Sequence, residues 1–303
     1  MKILILGAGA VGGYFGARLV DSGADVTFLV RKKRSQILKK QGLKIISPCG
    51  DLNLKVKTIT NAGITPVYDV ILLTNKSYDM DEILGINFPV KSSSVIIPLL
   101  NGFSHIRKLE KKFSNSSVFG GLAHIFSTIG ANGEIQHFNE VHSITFGHLK
   151  NKNKDIGKSF YDICDKANFT VNYSNNIVLD LWYKWILIAT VAGATTMFKC
   201  VLGEVLSTNF GKLFVEELHE ECIQIAKSKN IMLEEKTIVQ QRKFLTMKNS
   251  NWNSSMRRDM ENGSKIEHDH IFFELIKIAN RNKISCPNLK LVFTNGQIYS
   301  SKI

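Results

Sequence analysis

The residues with the clearest chemical meaning form a glycine-rich turn, Gly7-Ala8-Gly9-Ala10-Val11-Gly12, directly after a short apolar run. In a GxGxxG turn, Gly7 permits the tight bend, Gly9 lets the backbone approach a pyrophosphate, and Gly12 lets a helix pack closely on a strand. The amphipathic stretch Val11–Val20 follows, so the motif has the strand and helix context that it requires. Amides at the start of such a helix attract an anion. The turn therefore predicts a dinucleotide-binding site.

The choice of dinucleotide is indicated by the residue that ends the second strand-like run. A site for NAD usually has a carboxylate here, which accepts a hydrogen bond from the ribose 2′-hydroxyl and would repel a 2′-phosphate. This sequence has Arg31 instead, followed by Lys32, Lys33 and Arg34. The guanidinium of an arginine suits a phosphate because its N–H donors form a fork. Arg31 therefore predicts NADPH, while some of the other basic residues are explained as the solvated start of the next helix.

These residues need a scaffold, and the apolar pattern of the first half of the chain predicts one. The strand-like runs are Lys2–Leu6, Asp25–Val30, Val67–Leu73, Ser94–Leu99 and Ser117–Leu122. Helical patterns lie between most of them, such as Val11–Val20, Arg34–Gln41 and His105–Phe113. This alternation is typical of an α/β fold, a Rossmann-type doubly wound parallel sheet.

Shorter β segments complete the first domain. The pair Leu43–Ile46 and Leu52–Thr58 predicts a small β excursion, and Glu134–Phe138 with Ile144–Phe146 predicts an antiparallel extension at the sheet edge. A last run, Phe169–Tyr173, is expected to close the domain.

The character of the sequence changes after about residue 175, where strand signals give way to helical periodicity. The predicted helices are Val178–Phe198, Lys212–Lys227, Glu234–Lys248 and Ser264–Arg281. We therefore expect residues 1–174 to form the NADP-binding Rossmann-type domain and residues 175–303 to form an all-helical C-terminal domain for substrate binding and dimerisation.

Composition argues against several other classes of protein. Hydrophobic residues make up 44% of the 303 residues, which is typical of a globular chain. No apolar run reaches the ~18–20 residues of a membrane span, and the chain enters a strand at once, so we expect a cytoplasmic protein without a membrane partner. The net charge of +13 could attract an acidic partner. The basic clusters are short and lack interleaved stacking aromatics, so we expect no nucleic-acid partner.

Metal chemistry is not indicated either. The five cysteines are scattered without a CxxC motif, and the eight histidines show no ligand spacing. His268 and His270 stand two apart, where side chains on a helix point in different directions, so we expect both on the surface. The sequence predicts no metal site.

Several short segments further along the chain add to the glycine-rich turn. They are the N-terminal GAGAVGGYFGARL, Arg31, Thr74-Asn75-Lys76, Leu100-Asn101-Gly102, Trp182-Tyr183-Lys184, Ser254-Ser255-Met256 with Asp259, and Glu267. Each segment is short, but in this order and spacing they are specific. Over essentially the whole chain the sequence resembles the ketopantoate reductase (2-dehydropantoate 2-reductase) family.

The resemblance implies a role for each matched polar residue. Lys184 resembles the catalytic lysine, which donates a proton to the substrate oxygen, and Glu267 resembles its acidic partner. Ser255 resembles the substrate-binding serine, Asn101 the asparagine that contacts substrate and nicotinamide ribose, and Lys76 the lysine near the cofactor. An ammonium suits the first task because it stabilises developing alkoxide charge and can supply the proton. Without the resemblance, these residues would be interpreted as a buried lysine stem, a helix cap, a turn residue and surface charges.

The sequence departs from the family pattern in the predicted substrate pocket. The family usually has asparagines four and eight residues after the catalytic lysine, on the same helical face. Here these positions hold Ile188 and Ala192. We considered nearby hydroxyls as replacement donors, namely those of Thr190, Thr195 and Thr196. These changes remove polar donors from the predicted substrate pocket and leave the predicted cofactor and hydride-transfer residues unchanged.

The resemblance implies hydride transfer from NADPH to the keto carbon of 2-dehydropantoate, giving pantoate, in pantothenate biosynthesis. Three alternatives remain open: reduction of another small 2-oxo acid, a catalytically silent NADP(H)-binding sensor, and a nucleic-acid binder that exploits the net charge. The helical domain could also pair with a second copy, so a homodimer is one expectation.

Overall fold

The structure is a computed structural model, and it describes residues 1–61, 65–86, 90–114 and 116–303. The chain folds into two compact units, which we call the N-terminal unit (Met1–Val178) and the C-terminal unit (Leu179–Ile303). The boundary predicted from the sequence, after residue 174, falls between the last strand of the first unit and the long helix that follows.

The N-terminal unit is built on one sheet. Its strands are β1 (Lys2–Leu6), β2 (Asp25–Leu29), β3 (Leu43–Ile46), β4 (Leu52–Leu54), β5 (Lys57–Ile59), β6 (Val70–Leu73), β7 (Val95–Pro98), β8 (Ser117–Ile129), β9 (Ile135–His148) and β10 (Thr170–Tyr173). Within the described residues their order is β4-β3-β9-β8-β7-β6-β1-β2-β5, and β10 pairs with β9. Neighbours from β2 to β8 run parallel, so the predicted doubly wound parallel sheet is confirmed.

Helices pack on this sheet and exclude solvent from its central strands. They are α1 (Ala10–Asp21), α2 (Lys32–Gln41), α3 (Met80–Gly85), α4 (Ser104–Lys112) and α5 (Lys154–Cys164). Strands β6 and β7 are buried along their whole length, which explains their unbroken apolar sequences. Helix α1 lies especially close to the sheet, because a Cβ on Gly16 would come within 2.5 Å of the Phe28 ring.

The C-terminal unit is helical throughout, and residues 179–303, all of which are described, contain no strand. Its helices are α6 (Ile177–Phe198), which begins just before the boundary, α7 (Leu202–Leu206), α8 (Gly211–Lys227), α9 (Glu235–Leu245), α10 (Ser255–Glu261), α11 (Glu274–Arg281) and α12 (Pro287–Ser300). A π-helical turn, Asp269–Phe273, leads directly into α11. The predicted all-helical second domain is therefore confirmed.

Helix α6 is the one helix in the described chain that is long and apolar enough to cross a membrane by length and composition. However, 61% of its most apolar window is buried inside the protein. Burial of this extent is typical of the core helix of a globular unit.

The sheet extension differs from its prediction. The sequence predicted a strand ending at Leu122 and two separate segments, Glu134–Phe138 and Ile144–Phe146. Instead, β8 and β9 form one long antiparallel pair with a register shift between Ile125 and Ser127. The outer halves of both strands are partly exposed, so their hydrophobic pattern is weak, and cross-strand pairing determines their extent.

A polar cluster lies between α1 and the β8–β9 ribbon. The hydroxyl of Tyr14 and Nδ1 of His142 are 2.7 Å apart, and the rings of His137 and His142 stack with centroids 5.6 Å apart. Arg18, almost fully buried, donates from Nη2 to the carbonyl of Gly50 at 2.6 Å. Burial lowers the pKa of both histidines, and the nearby Arg18 guanidinium lowers it further. Both imidazoles are therefore expected to be neutral at pH 7.

We expect this cluster to make the fold sensitive to acid. Because the folded pKa of each histidine is lowered, the unfolded chain binds protons more readily, and the free energy of unfolding falls once the pH drops below about 6.5. The variant His142→Asn keeps a polar group near Nδ1 but cannot titrate, so its loss of stability between about pH 7 and pH 5 should be smaller. Urea unfolding across that range measures this, with the exposed His124→Gln as the control. Identical slopes for His142→Asn and the unmodified chain would contradict the prediction.

Candidate active site

The glycine-rich turn joins the carboxyl end of β1 to α1 and is held by the end of β6. Gly7 has a φ of 99°, which only glycine adopts readily. A Cβ on Gly12 would lie 2.0 Å from Oγ1 of Thr74 and 2.5 Å from the carbonyl oxygen of Gly7. Oγ1 of Thr74 donates to the carbonyl of Leu6 at 2.8 Å, which fixes the ends of the two strands together. Glycine at position 12 is therefore required by packing.

Gly9 has a different function in the same turn. It is the N-cap residue of α1, and a Cβ placed there would meet no atom within 4 Å. No side chain caps α1 and no acidic residue lies in its first turn, so its first amides can interact with an anion. Close by, the buried Oδ1 of Asn75 has no hydrogen-bond partner among the described residues. This bare cradle fits the pyrophosphate of a dinucleotide.

Arg34 braces the turn, a function that the sequence analysis did not assign. Its Nε and Nη2 both donate to the carbonyl of Ala8, at 3.2 and 2.9 Å, and its Nη1 donates to the carbonyl of Gly133 at 2.8 Å. Burial lowers the pKa of this guanidinium. The only signal in the sequence was its place in the basic run that follows Arg31.

Arg31, the residue predicted to bind the 2′-phosphate, precedes α2 as its N-cap residue. Its side chain is 70% exposed, and Nη2 forms ion pairs with Oδ1 of Asp79 at 3.2 Å and Oε2 of Glu82 at 2.7 Å. These carboxylates raise the pKa of Arg31, with Glu82 contributing most. The predicted cation is therefore present at the surface, but two acidic residues that the sequence analysis did not connect with it hold its side chain.

Lys76 and Asn101 lie at the same edge of the sheet. Lys76 follows β6 and is the N-cap residue of the short 3₁₀ turn Ser77–Asp79, while Asn101 follows β7, and both are partly buried. Strands β7, β6, β1 and β2 are consecutive neighbours and run parallel, so their carboxyl ends lie at one edge. The sheet thus brings Asn101, Lys76, the glycine-rich turn and Arg31 to the edge where α/β sheets bind ligands.

Two alanine substitutions separate packing from binding in the glycine-rich turn. We expect Gly12→Ala to destabilise the protein by about 1–3 kcal/mol, since its methyl group has no space. Gly9 has an ordinary extended backbone, so Gly9→Ala should change stability by less than about 0.5 kcal/mol while weakening dinucleotide affinity at least tenfold by filling the cradle. Thermal unfolding and calorimetric titration with NADPH measure the two effects. Undiminished NADPH affinity in Gly9→Ala would exclude this turn as the site.

In the C-terminal unit, α6 carries Lys184 next in sequence to two large aromatic residues that contact each other. The rings of Trp182 and Trp185 have centroids 5.1 Å apart, and both side chains are buried. Nε1 of Trp185 donates to the carbonyl of Ile271 at 2.9 Å. Because Ile271 lies in the π-helical turn that follows Glu267, this buried hydrogen bond links the helix that carries Lys184 to the segment that carries Glu267.

Glu267 does not lie within a helix, which corrects the predicted helix Ser264–Arg281. Residues 264–267 are irregular, and the carbonyl of Glu267 accepts the first helical hydrogen bond, from the amide of Ile271 at 3.0 Å. The π-helical turn and α11 follow it. The apolar periodicity of residues 271–279 was sufficient to predict a helix but not its first residue. Glu267 is partly buried at the start of the helical segment.

The charges of Lys184 and Glu267 interact in the structure. Lys184 keeps some solvent-accessible surface, yet desolvation by the surrounding protein is the larger effect and lowers its pKa to about 8. The negative charge of Glu267 opposes this by raising the pKa. An ammonium with a pKa near the working pH can both stabilise a developing oxyanion and give up its proton. A lysine with this pKa can chemically act as a general acid, and the charge of Glu267 favours its protonated form.

Ser255 is the exposed first residue of α10, but the helix cap is its neighbour. Oγ of Ser254 accepts from the amide of Arg257 at 3.0 Å and lies 2.8 Å from Oγ1 of Thr195. This contact attaches the start of α10 to α6 about three helical turns beyond Lys184. Ser255 therefore begins a helix, α10, that is attached to α6, the helix that carries Lys184.

The threonines of α6 do not offer free hydroxyl protons. The hydroxyls of Thr190, Thr195 and Thr196 each donate to the carbonyl four residues earlier in the helix, at 2.6–2.9 Å, and all three side chains are buried. The suggestion that they replace the missing asparagines is therefore not supported. The face four and eight residues after Lys184 carries Ile188 and the buried Ala192 and remains apolar.

His268 corrects another prediction, because it is buried rather than on the surface. It is only 7% exposed and stacks on Phe293 with centroids 5.5 Å apart. Gly296 allows this, since a Cβ there would lie 2.8 Å from Cβ of His268. Among the described residues, no group of three or more His, Cys, Asp or Glu side chains could hold a metal ion.

The coupling of Lys184 to Glu267 can be measured directly. Because Glu267 raises the pKa of Lys184, Glu267→Gln should lower that pKa below about 8. The pH dependence of Lys184 labelling by an amine-reactive reagent, read by mass spectrometry, reports this value. Asp269→Asn removes a well-exposed carboxylate two residues away and serves as the control. A labelling profile in Glu267→Gln that matches the unmodified protein would show that the two groups are not coupled.

Comparisons with known proteins identify the family to which the chain belongs. Residues 3–151 match the family described as "Ketopantoate reductase PanE/ApbA", and residues 176–297 match "Ketopantoate reductase PanE/ApbA C terminal". The "Uncharacterized oxidoreductase YkpB" of Bacillus subtilis (strain 168) is 36% identical over 305 residues, covering 100% of both chains. A 2-dehydropantoate 2-reductase of Pyrococcus abyssi is 27% identical over 287 residues, covering 95% of this chain and 94% of its own.

Solved structures share the fold over the full chain. A PanE/ApbA family ketopantoate reductase from Ralstonia eutropha JMP134 superposes with a TM-score of 0.88 at 20% identity, covering 100% of this chain and 99% of that one. A ternary structure of D-mandelate dehydrogenase with NADH and anilino(oxo)acetate has the same TM-score, identity and coverage. At this identity the likeness concerns the fold.

Proposed function

The chain belongs to the ketopantoate reductase family, as an oxidoreductase with a nicotinamide cofactor, and we propose that it reduces 2-dehydropantoate to pantoate with NADPH. The proposal includes the place of this reaction in pantothenate biosynthesis and a cytoplasmic location. A homodimer stays a prediction.

The observation that carries the proposal is the pairing of Lys184 with Glu267. In the sequence both residues resemble the catalytic lysine of the family and its acidic partner, and burial lowers the pKa of the lysine toward the neutral range, where it can donate a proton. A lysine that is only solvated at the surface, or that only forms a structural ion pair, has no need of a pKa near 8. A silent sensor would need the dinucleotide cradle but not this pair.

In the proposed reduction of the ketone, different residues donate the proton, orient the proton donor and bind the substrate. When bound, the reduced nicotinamide supplies a hydride to the keto carbon. Lys184 donates its ammonium proton to the carbonyl oxygen as negative charge develops there, which completes the alcohol. Glu267 keeps the lysine protonated and oriented before the reaction. Asn101 and Ser255 hold the substrate through hydrogen bonds.

The preference for NADPH rests on the cations at the sheet edge. Arg31 follows β2, where a carboxylate would favour the unphosphorylated cofactor, and Lys76 follows β6 at the same edge. The fork of a guanidinium matches a phosphate, whereas a ribose hydroxyl needs no such charge.

A second candidate, reduction of another small 2-oxo acid, is favoured by the apolar face of α6. Ile188 and Ala192 cannot donate hydrogen bonds to the substrate hydroxyl that distinguishes ketopantoate from simpler oxo acids. Loss of a donor for a buried substrate hydroxyl reduces discrimination strongly. A substrate with an apolar side chain would suit this face better.

The decisive assay follows NADPH oxidation by absorbance with ketopantoate beside pyruvate, 2-oxoisovalerate and 2-oxobutanoate. We expect ketopantoate to give the highest kcat/KM and Lys184→Ala to lower kcat by about 10²–10⁴, the usual contribution of general acid catalysis. Lys236→Ala, which removes an exposed lysine of the same unit, should leave kcat unchanged. Faster turnover of 2-oxoisovalerate would favour the second candidate. NADPH binding without turnover of any oxo acid would contradict both.

A further inference from the structure

Arg31 is held by two carboxylates from a different part of the N-terminal unit. We propose that Asp79 and Glu82 set how strongly the site favours a phosphorylated dinucleotide, by opposing the charge of Arg31 where a 2′-phosphate would bind. This inference rests on the proposed use of Arg31 for that phosphate. It names two selectivity residues that lie outside the glycine-rich turn and outside the second strand.

Both carboxylates accept hydrogen bonds from the same nitrogen of Arg31. Oδ1 of Asp79 and Oε2 of Glu82 accept from Nη2 of Arg31 at 3.2 and 2.7 Å. Asp79 ends the 3₁₀ turn after β6, and Glu82 lies in the first turn of α3. Both ion pairs use Nη2, which belongs to each of the two-donor edges of a guanidinium, so Nε and Nη1 remain as separate single donors for another anion. A phosphate can therefore reach Arg31 without breaking either pair.

The two carboxylates offset part of the attraction that Arg31 exerts on that phosphate. One guanidinium and two carboxylates sum to a single negative charge, and a phosphate monoester brings further negative charge to the same point. Both carboxylates lie close to any group that Arg31 contacts, well within a Debye length of about 8 Å. Because the side chain of Arg31 is 70% exposed, water weakens this repulsion without removing it. The unphosphorylated cofactor has a neutral hydroxyl here and experiences almost none of it.

Neutralising either carboxylate should consequently strengthen NADPH binding and leave NADH binding unchanged. We expect Glu82→Gln and Asp79→Asn to tighten the Kd for NADPH about three- to tenfold each at low salt, with the Kd for NADH altered less than about twofold. Raising the salt concentration should reduce the gain. Calorimetric titration of the full-length protein measures both constants without turnover.

A matched control lies on the same helix. Asp81 forms its ion pair with Lys108, at 2.9 Å, whereas the ion pairs of Arg31 are with Asp79 and Glu82. The variant Asp81→Asn changes the net charge by the same amount as Glu82→Gln, so it should tighten NADPH binding less than twofold. A gain in Asp81→Asn equal to that in Glu82→Gln would assign the effect to net charge and overturn the proposal.

Arg31→Ala separates this inference from the proposed function. If Arg31→Ala weakens NADPH binding but Glu82→Gln and Asp79→Asn do not strengthen it, the carboxylates orient Arg31 and the inference fails alone. If Arg31→Ala leaves the Kd for NADPH unchanged, the proposed preference for NADPH fails, and the inference with it. Selective tightening in both carboxylate variants, together with loss in Arg31→Ala, supports both.

Discussion

The candidate catalytic chemistry depends on a balance of two effects on one ammonium group. Burial removes water from Lys184 and disfavours its charge, while Glu267 restores part of the stabilisation. Neither effect alone gives a useful acid, because a solvated lysine holds its proton too firmly and an unpaired buried lysine loses it too early. The apolar helix α6 supplies the dry surroundings. The hydrogen bond from Trp185 to Ile271 fixes the segment that begins at Glu267, so the balance is maintained by groups that carry no charge.

The N-terminal unit uses no charged side chain in the glycine-rich turn. It exposes backbone amides there, where a side chain would block an anion. Gly9 leaves the first amides of α1 open, and Gly12 brings that helix against Thr74. Arg34 binds the carbonyl oxygen of Ala8, so the negative end of that peptide dipole faces a cation and not a bound anion. The turn therefore presents donors to a pyrophosphate because its nearest acceptor is already occupied.

The sequence was most informative where local pattern and local structure coincide. The continuous apolar runs that became β6 and β7, and the spacing of glycines before α1, required no knowledge of distant residues. It was least informative where partners come from far along the chain. The buried position of His268 depends on Phe293 and Gly296, and the π-helical turn after Glu267 is bound through the carbonyl of Ile271 to Trp185 of α6, 86 positions earlier in the sequence. Residues Lys184 and Glu267 could be paired only through the family resemblance, since 83 positions separate them in the sequence.

The basic run after β2 shows why a motif does not by itself determine selectivity. Arg31 and Arg34 are three residues apart, yet Arg34 is bound to backbone carbonyls whereas Arg31 is bound to carboxylates 48 and 51 residues away. A guanidinium attracts a phosphate according to the sum of the charges around it, not according to its own charge alone. Carbonyl partners leave that sum positive and carboxylate partners make it negative. If Arg31 binds the 2′-phosphate as proposed, the strength of that attraction is set by Asp79 and Glu82, which lie in the 3₁₀ turn and in helix α3 after β6.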